Sequence, residues 1–246
     1  MSFLRETNSE RYASRKEMIQ SRFLQVILSL RAILLVFLIL IGCSGGPPDI
    51  LDVFYRVNLV NDQEQGMIYQ KLSLFIMPDD PDGYEDLDLI YLIHDKEELF
   101  WTLDSQSWQK VSNGRESWIG SNSFCMPDNS DLPQGTYRIL LKDLSGEKAE
   151  TQIFLRMDSV DKLELKFPDA AVRDGRIFVE SAYEENQILI YERGNVFRHS
   201  FSYSEGGLAL GEIFSTVEDL SYDFTFFVYA FDQKRDLGLV KGPFSP

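Results

Sequence analysis

Between residues 79 and 88 the chain gathers Asp79, Asp80, Asp82, Glu85, Asp86 and Asp88 around Pro81 and Gly83. Oxygen donors at that density suit a hard cation such as calcium, which takes roughly six to eight of them. Asp80, Asp82 and Asp86 are the candidate ligands. The stretch does not follow the EF-hand pattern. With Gly83 set on the loop glycine, Pro78 falls on the first ligand position and Leu89 on the last. The competing reading, which the sequence favours, is a solvated turn whose aspartates accept local backbone N–H groups. Trp101, Trp108 and Trp118, with Tyr91 and Phe100 nearby, offer a second chemistry: an aromatic platform for a sugar ring or a peptide. Aromatics at strand spacing usually serve a core. Trp108 is the one expected at the surface, because Ser105, Gln106, Ser107, Gln109 and Lys110 surround it, and it is the candidate ligand-binding residue. His94 and His199 are the only histidines and lie far apart, with no HExxH or Cys/His cluster to form a zinc site. P-loop, GxGxxG and CxxC patterns are absent from the sequence. No cofactor and no enzymatic activity are expected. A hydrolase built on paired carboxylates is the third-ranked reading, since the spacing that matters there is spatial.

A different chemistry belongs to Cys43. It closes Leu40-Ile41-Gly42-Cys43 after the apolar run 32–41 and precedes Ser44-Gly45-Gly46-Pro47-Pro48. Upstream, Arg5, Arg11, Arg15, Lys16, Arg22 and Arg31 make the head of the chain basic. A charged region, an apolar region and a small residue before a cut are the order of a secretory signal. The stretch resembles a bacterial lipoprotein signal peptide with its lipobox. That resemblance implies that Leu40 and Ile41 fill the peptidase subsites, that Gly42 precedes the cut, and that Cys43 receives a diacylglycerol and often an N-acyl chain. Two or more acyl chains anchor a protein stably, where one does not. The expected location is therefore the cell envelope, periplasmic or surface-exposed, on a lipid anchor. The alternatives are an uncleaved transmembrane anchor over residues 23–41, with Arg31 reaching the interface, and an ordinary apolar helix followed by a cysteine.

Composition narrows the partners. The first 42 residues hold six basic and three acidic side chains, so the remaining 18 basic and 36 acidic residues carry a formal charge of −18. Such a domain repels nucleic acid and anionic headgroups; its membrane contact would run through the lipid. The partner expected is an envelope protein or a glycan. With Cys43 acylated, Cys125 has no partner for an intrachain disulfide. Its apolar setting, Phe124-Cys125-Met126, reads as a buried structural thiol.

Behind the tether the pattern is strands and turns. Alternating apolar residues predict strands over 49–60, 67–77, 87–93, 99–103 and 118–126. Tyr137, Ile139 and Leu141, the turn Leu144-Ser145-Gly146-Glu147, and Thr151, Ile153 and Leu155 predict a hairpin. Further strands are predicted at 177–179, 188–191, 196–197, 224–231 and 237–240, with a tight turn at 192–195 and one short helix within 211–220. The expected fold class is all-β, a β-sandwich preceded by an N-terminal signal helix. The expected division is 1–42 signal peptide, 43–50 lipidated cysteine and tether, 51–157 sandwich, and 158–246 a second small β-domain or an extension of the first.

Asp80-Pro81-Asp82-Gly83-Tyr84-Glu85-Asp86-Leu87 with Ile90-Tyr91-Leu92 resembles the B–C segment of bacterial Ig-like and fibronectin type III-like modules. Gly135-Thr136-Tyr137-Arg138-Ile139, Asp143 and the following turn resemble their F–G hairpin. The resemblance implies an Ig-like sandwich in which Tyr137 is the corner tyrosine and Trp101 a core residue. Together with the lipobox it is similar to uncharacterised spirochaete-type lipoproteins. The function expected is a lipid-anchored structural or protein-interaction module, with a glycan- or peptide-binding lipoprotein as the alternative.

Overall fold

The computed structural model describes residues 46–246 except 115, 158–160 and 193–195. Strands run in the order β1 (Asp49–Asp62), β2 (Met67–Asp79), β3 (Leu87–His94), β4 (Leu99–Asp104), β5 (Gln109–Asn113), β6 (Glu116–Phe124), β7 (Gly135–Asp143) and β8 (Lys148–Leu155). They continue as β9 (Asp169–Arg173), β10 (Arg176–Glu180), β11 (Asn186–Glu192), β12 (Val196–Ser202), β13 (Leu208–Ala209), the helix α1 (Leu210–Thr216), β14 (Thr225–Asp232) and β15 (Leu237–Phe244). The fold is all-β. Among the described residues no helix is long and apolar enough to cross a membrane. Leu40, Ile41, Gly42 and Cys43 lie outside the described residues, as do the expected signal helix and most of the turn at 192–195.

Alternation explains the first half. Leu87, Ile90 and Leu92 of β3, Tyr137, Ile139 and Leu141 of β7, and Ile153 and Leu155 of β8 point one way and are buried. The sheet β4-β3-β7-β8 lays this face against Leu72, Leu74 and Ile76 of β2 and Leu59 of β1. Each such side chain contributes about 1.5–3 kcal/mol by leaving water. The opposing strands have the order β1-β2-β6-β5. Four strands in that order facing β4-β3-β7-β8 form an Ig-like sandwich. Its corner is present: Tyr137 is 0 % exposed, and its hydroxyl donates to the Pro133 carbonyl at 2.8 Å, four residues upstream. Burial raises this phenol to about 12. A Cβ on Gly120 would lie 2.0 Å from the Leu74 carbonyl oxygen, so glycine is what lets β6 approach β2.

The C-terminal strands join the same sheet. β15 pairs with β1 in parallel, from Asn58↔Gly238 to Asp62↔Gly242, and the sheet continues through β14 and β11 to β12. The strands on either side of the expected boundary at 157/158 therefore share one eight-stranded sheet, and Pro47–Pro246 is one compact unit. The C-terminal segment adds a core of its own, in which Ile177, Ile188, Ile190, Phe226 and Val228 pack on Ile213 of α1. β1 shows the consequence. Its second half, Val57 to Val60, is buried on both faces, whereas Phe54 and Tyr55 are about 40 % exposed, because β15 covers β1 only from Asn58 onward.

Three strands, β5, β9 and the two-residue β13, are absent from the expectation, because QKVSN, DAAVR and LA are short and carry little alternation. The predicted helix forms over Leu210–Thr216 only. Cys125 is free and half-buried rather than fully buried. Its carbonyl accepts the Trp101 indole N–H at 2.8 Å.

Candidate functional site

The acidic loop is shaped by its own turn residues. Asp80 closes the exit of β2, and its Oδ1 accepts the Asp82 N–H at 2.8 Å, which is the local capping that an aspartate before a turn provides. Gly83 N–H donates to the Asp80 carbonyl at 2.9 Å and adopts φ 91°, a conformation that glycine takes without strain. A single 3-10 turn, Tyr84–Asp86, follows. The Tyr84 hydroxyl reaches the Ser117 carbonyl at 2.9 Å and pins the loop to β6. β3 then begins at Leu87, whose register partner in β7 is Asp143. The Leu144 N–H donates to the Asp86 carbonyl at 2.8 Å and ties the β7–β8 turn to the loop.

This pairing brings together three carboxylates distant in sequence. One oxygen each from Asp80, Asp86 and Asp143 lies within 4.8 Å of the others. Asp143 is 1 % exposed. The hydrogen bonds it accepts, from the Ser145 hydroxyl and the Glu147 N–H, both at 2.8 Å, fall on Oδ1. Asp80 Oδ2 is buried and receives no donor. Among the described residues no lysine, arginine or histidine pairs with any of the three. Lys142, next to Asp143, points to the opposite face of β7 and pairs with Asp88 at 3.4 Å. Burial, and then the charges of Asp143, Asp80 and Asp82, hold the Asp86 carboxyl above the ordinary aspartate range.

The sequence-level ligand set is therefore changed by one member. Asp80 and Asp86 meet as expected. Asp82 contributes its backbone N–H and its charge but is not one of the three. Asp143 was missed because it lies 57 residues beyond Asp86 and only strand pairing brings it near. The signal that could have found it is the hairpin itself, whose first strand ends at Asp143 and pairs with the strand that follows the acidic loop.

The aromatic platform does not assemble. Trp108 is 8 % exposed and sits in the main core, so its expected surface position is corrected. Ser105, Gln106 and Ser107 belong to the Asp104–Ser107 turn, which Asp104 Oδ1 holds by accepting from Ser107 and Gln106, Gln109 and Lys110 open β5, and the indole folds in behind that turn. Its Nε1 is buried and without an acceptor. Trp101 turns inward against Tyr137 with ring centroids 6.2 Å apart, while its strand neighbour Phe100 is 68 % exposed. His94 is a buried core residue. Its Nδ1 accepts the Glu97 N–H and its Nε2 faces the Gln134 carbonyl, both at 3.3 Å. His199 is exposed on β12.

No protein-family model matches the chain, and no curated protein sequence matches it. Among solved structures, the chain is similar to dimeric latent PorU from Porphyromonas gingivalis, with a TM-score of 0.32 and 11 % identity over 81 % of this chain and 20 % of that one. It is similar to Tp47, the 47-kilodalton lipoprotein of Treponema pallidum, with a TM-score of 0.29 and 10 % identity over 76 % of this chain and 48 % of that one. It is also similar to a bacterial ice-binding adhesin, with a TM-score of 0.26 and 10 % identity, covering 80 % of this chain and 63 % of the adhesin chain. The chain thus spans less than two thirds of each.

Proposed function

We propose that this is a lipid-anchored protein of the cell envelope whose β unit serves as a structural or protein-interaction module. The observation that carries the reading is the junction at Cys43. A lipobox ends there, and a compact all-β unit starts at Pro47. After cleavage, the five residues between Cys43 and β1 would reach no more than about 20 Å when fully extended. The unit would therefore work close to the membrane surface.

The sheet edges support interaction. Edge strands of soluble proteins are normally blunted by charge or proline. Here each of the four outer strands of the two large sheets carries an exposed large apolar residue: Val196 on β12, Val111 on β5, Phe100 on β4 and Phe154 on β8. An open strand edge of this kind offers unpaired backbone groups to a strand of another chain.

Metabolic labelling with a radioactive or clickable palmitate analogue tests the anchor. Wild type takes the label and fractionates with membranes. Cys43→Ala takes none and stays at precursor size. An unlabelled Cys43 on a full-length chain would transfer the case to the transmembrane reading.

A further inference from the structure

We infer that Asp80, Asp86 and Asp143 bind one calcium-class divalent cation, which clamps the β2–β3 connection to the β7–β8 turn. The spacing fits a shared ion. Oxygens bound to one calcium at about 2.4 Å can lie no more than about 4.8 Å apart, and these three carboxylates meet that limit.

The acidic cluster is not the whole of the case. Asp80 Oδ2 is sealed from solvent with no donor, and a buried acceptor without a donor costs free energy. Asp143, at 1 % exposed, is a buried carboxylate that accepts two hydrogen bonds on one oxygen and, among the described residues, pairs with no cationic side chain. Buried charges are paired or coordinate metals. Asp232 follows the first course: it is buried and receives the Arg235 guanidinium at 2.6 Å. At Asp143 the neighbouring charges are two more carboxylates.

The donor set selects the ion. Three carboxylate oxygens, with no thiolate or imidazole among them, are hard ligands that suit calcium or magnesium over zinc and copper. Magnesium keeps most of its water and usually takes one or two carboxylates, so a site of three favours calcium. Water and backbone oxygens would complete the shell. This inference stands apart from the lipid anchor, since it uses only residues of the folded unit.

Equilibrium dialysis of the chelator-stripped full chain in detergent micelles against calcium tests it. The expected result is one calcium per chain, lost at least tenfold in affinity in Asp143→Asn and in Asp80→Asn, each with an unchanged far-UV circular dichroism spectrum. Asp82→Asn keeps the stoichiometry. Magnesium at the same concentration competes weakly. No bound calcium on the wild-type chain overturns the inference, as does full-affinity binding to both Asp143→Asn and Asp80→Asn.

Discussion

Asp143 and Asp232 occupy matching places in two hairpins. Each is the last residue of the first strand, β7 or β14, and each is buried, 1 % and 4 % exposed. Each uses Oδ1 to hold its turn, accepting from Ser145 and Glu147 in one case and from the Lys234 and Arg235 N–H groups in the other. They part at the second oxygen. Asp232 Oδ2 receives Arg235, three residues on. Three residues beyond Asp143 stands Gly146 at φ 94°, a backbone that disfavours an arginine there. The turn geometry that shapes the β7–β8 hairpin thus excludes the internal cation that the β14–β15 hairpin uses. The chain then surrounds Asp143 with Asp80 and Asp86. One hairpin is complete as folded, and the other is built for a cation from solution.

The largest effect expected in the sandwich sets the scale and carries no cation dependence. Trp108→Ala should lower stability by about 3 kcal/mol or more, the cost of a cavity in a packed core, equally in calcium and in chelator by denaturant unfolding. Asp232→Ala should follow at about 2 kcal/mol, from the turn hydrogen bonds to a charged acceptor, again with no response to calcium. A calcium-dependent loss there would erase the distinction between the hairpins. Asp143→Asn in chelator should do the opposite of Asp232→Ala. It removes one of three facing negative charges while keeping a turn acceptor, so thermal melting should move upward or stay level. A sharp fall would mean that the cluster is already neutralised within the fold. The smallest effect belongs to an exposed aspartate. The Arg138 hydrogen bond holds the Asp95 carboxyl below its ordinary value of 3.8, with the Arg138 and His94 charges helping. The contribution is present above that ordinary value and is lost as pH falls through the lowered one. Asp95→Asn should therefore cost little at pH 7, and the difference from wild type should vanish on strong acidification, as read by melting at a series of pH values.

Much of the sandwich was legible in the sequence because alternation over a half-buried sheet leaves a period of two, as in Tyr137, Ile139 and Leu141. Gly135-Thr136-Tyr137 placed the corner tyrosine, and the hydroxyl contact with Pro133 bears this out. What was not legible depended on long-range pairing. The parallel β1–β15 contact joins residues about 180 apart in the chain, and no local pattern encodes it. Trp108 was misread for a related reason. Polar neighbours report the turn in which a residue sits, not where the chain behind that turn is packed. The same limit hid Asp143. Its turn looked like any hairpin turn, and only the β3–β7 register sets it beside Asp86. Asp80 fulfilled both sequence readings, capping the Asp82 N–H with one oxygen while the other is left without a donor.

The most direct test of the contrast between the hairpins is one paired melting experiment on the full chain. Wild type, Asp143→Asn and Asp232→Asn are each melted in chelator and in calcium at about a hundredfold excess over its dissociation constant for the wild-type chain. Wild type and Asp232→Asn should gain roughly 5 °C or more on adding calcium, and Asp143→Asn should gain nothing. Equal gains in all three, or none in wild type, would contradict the assignment of an external cation to Asp143 and its neighbours.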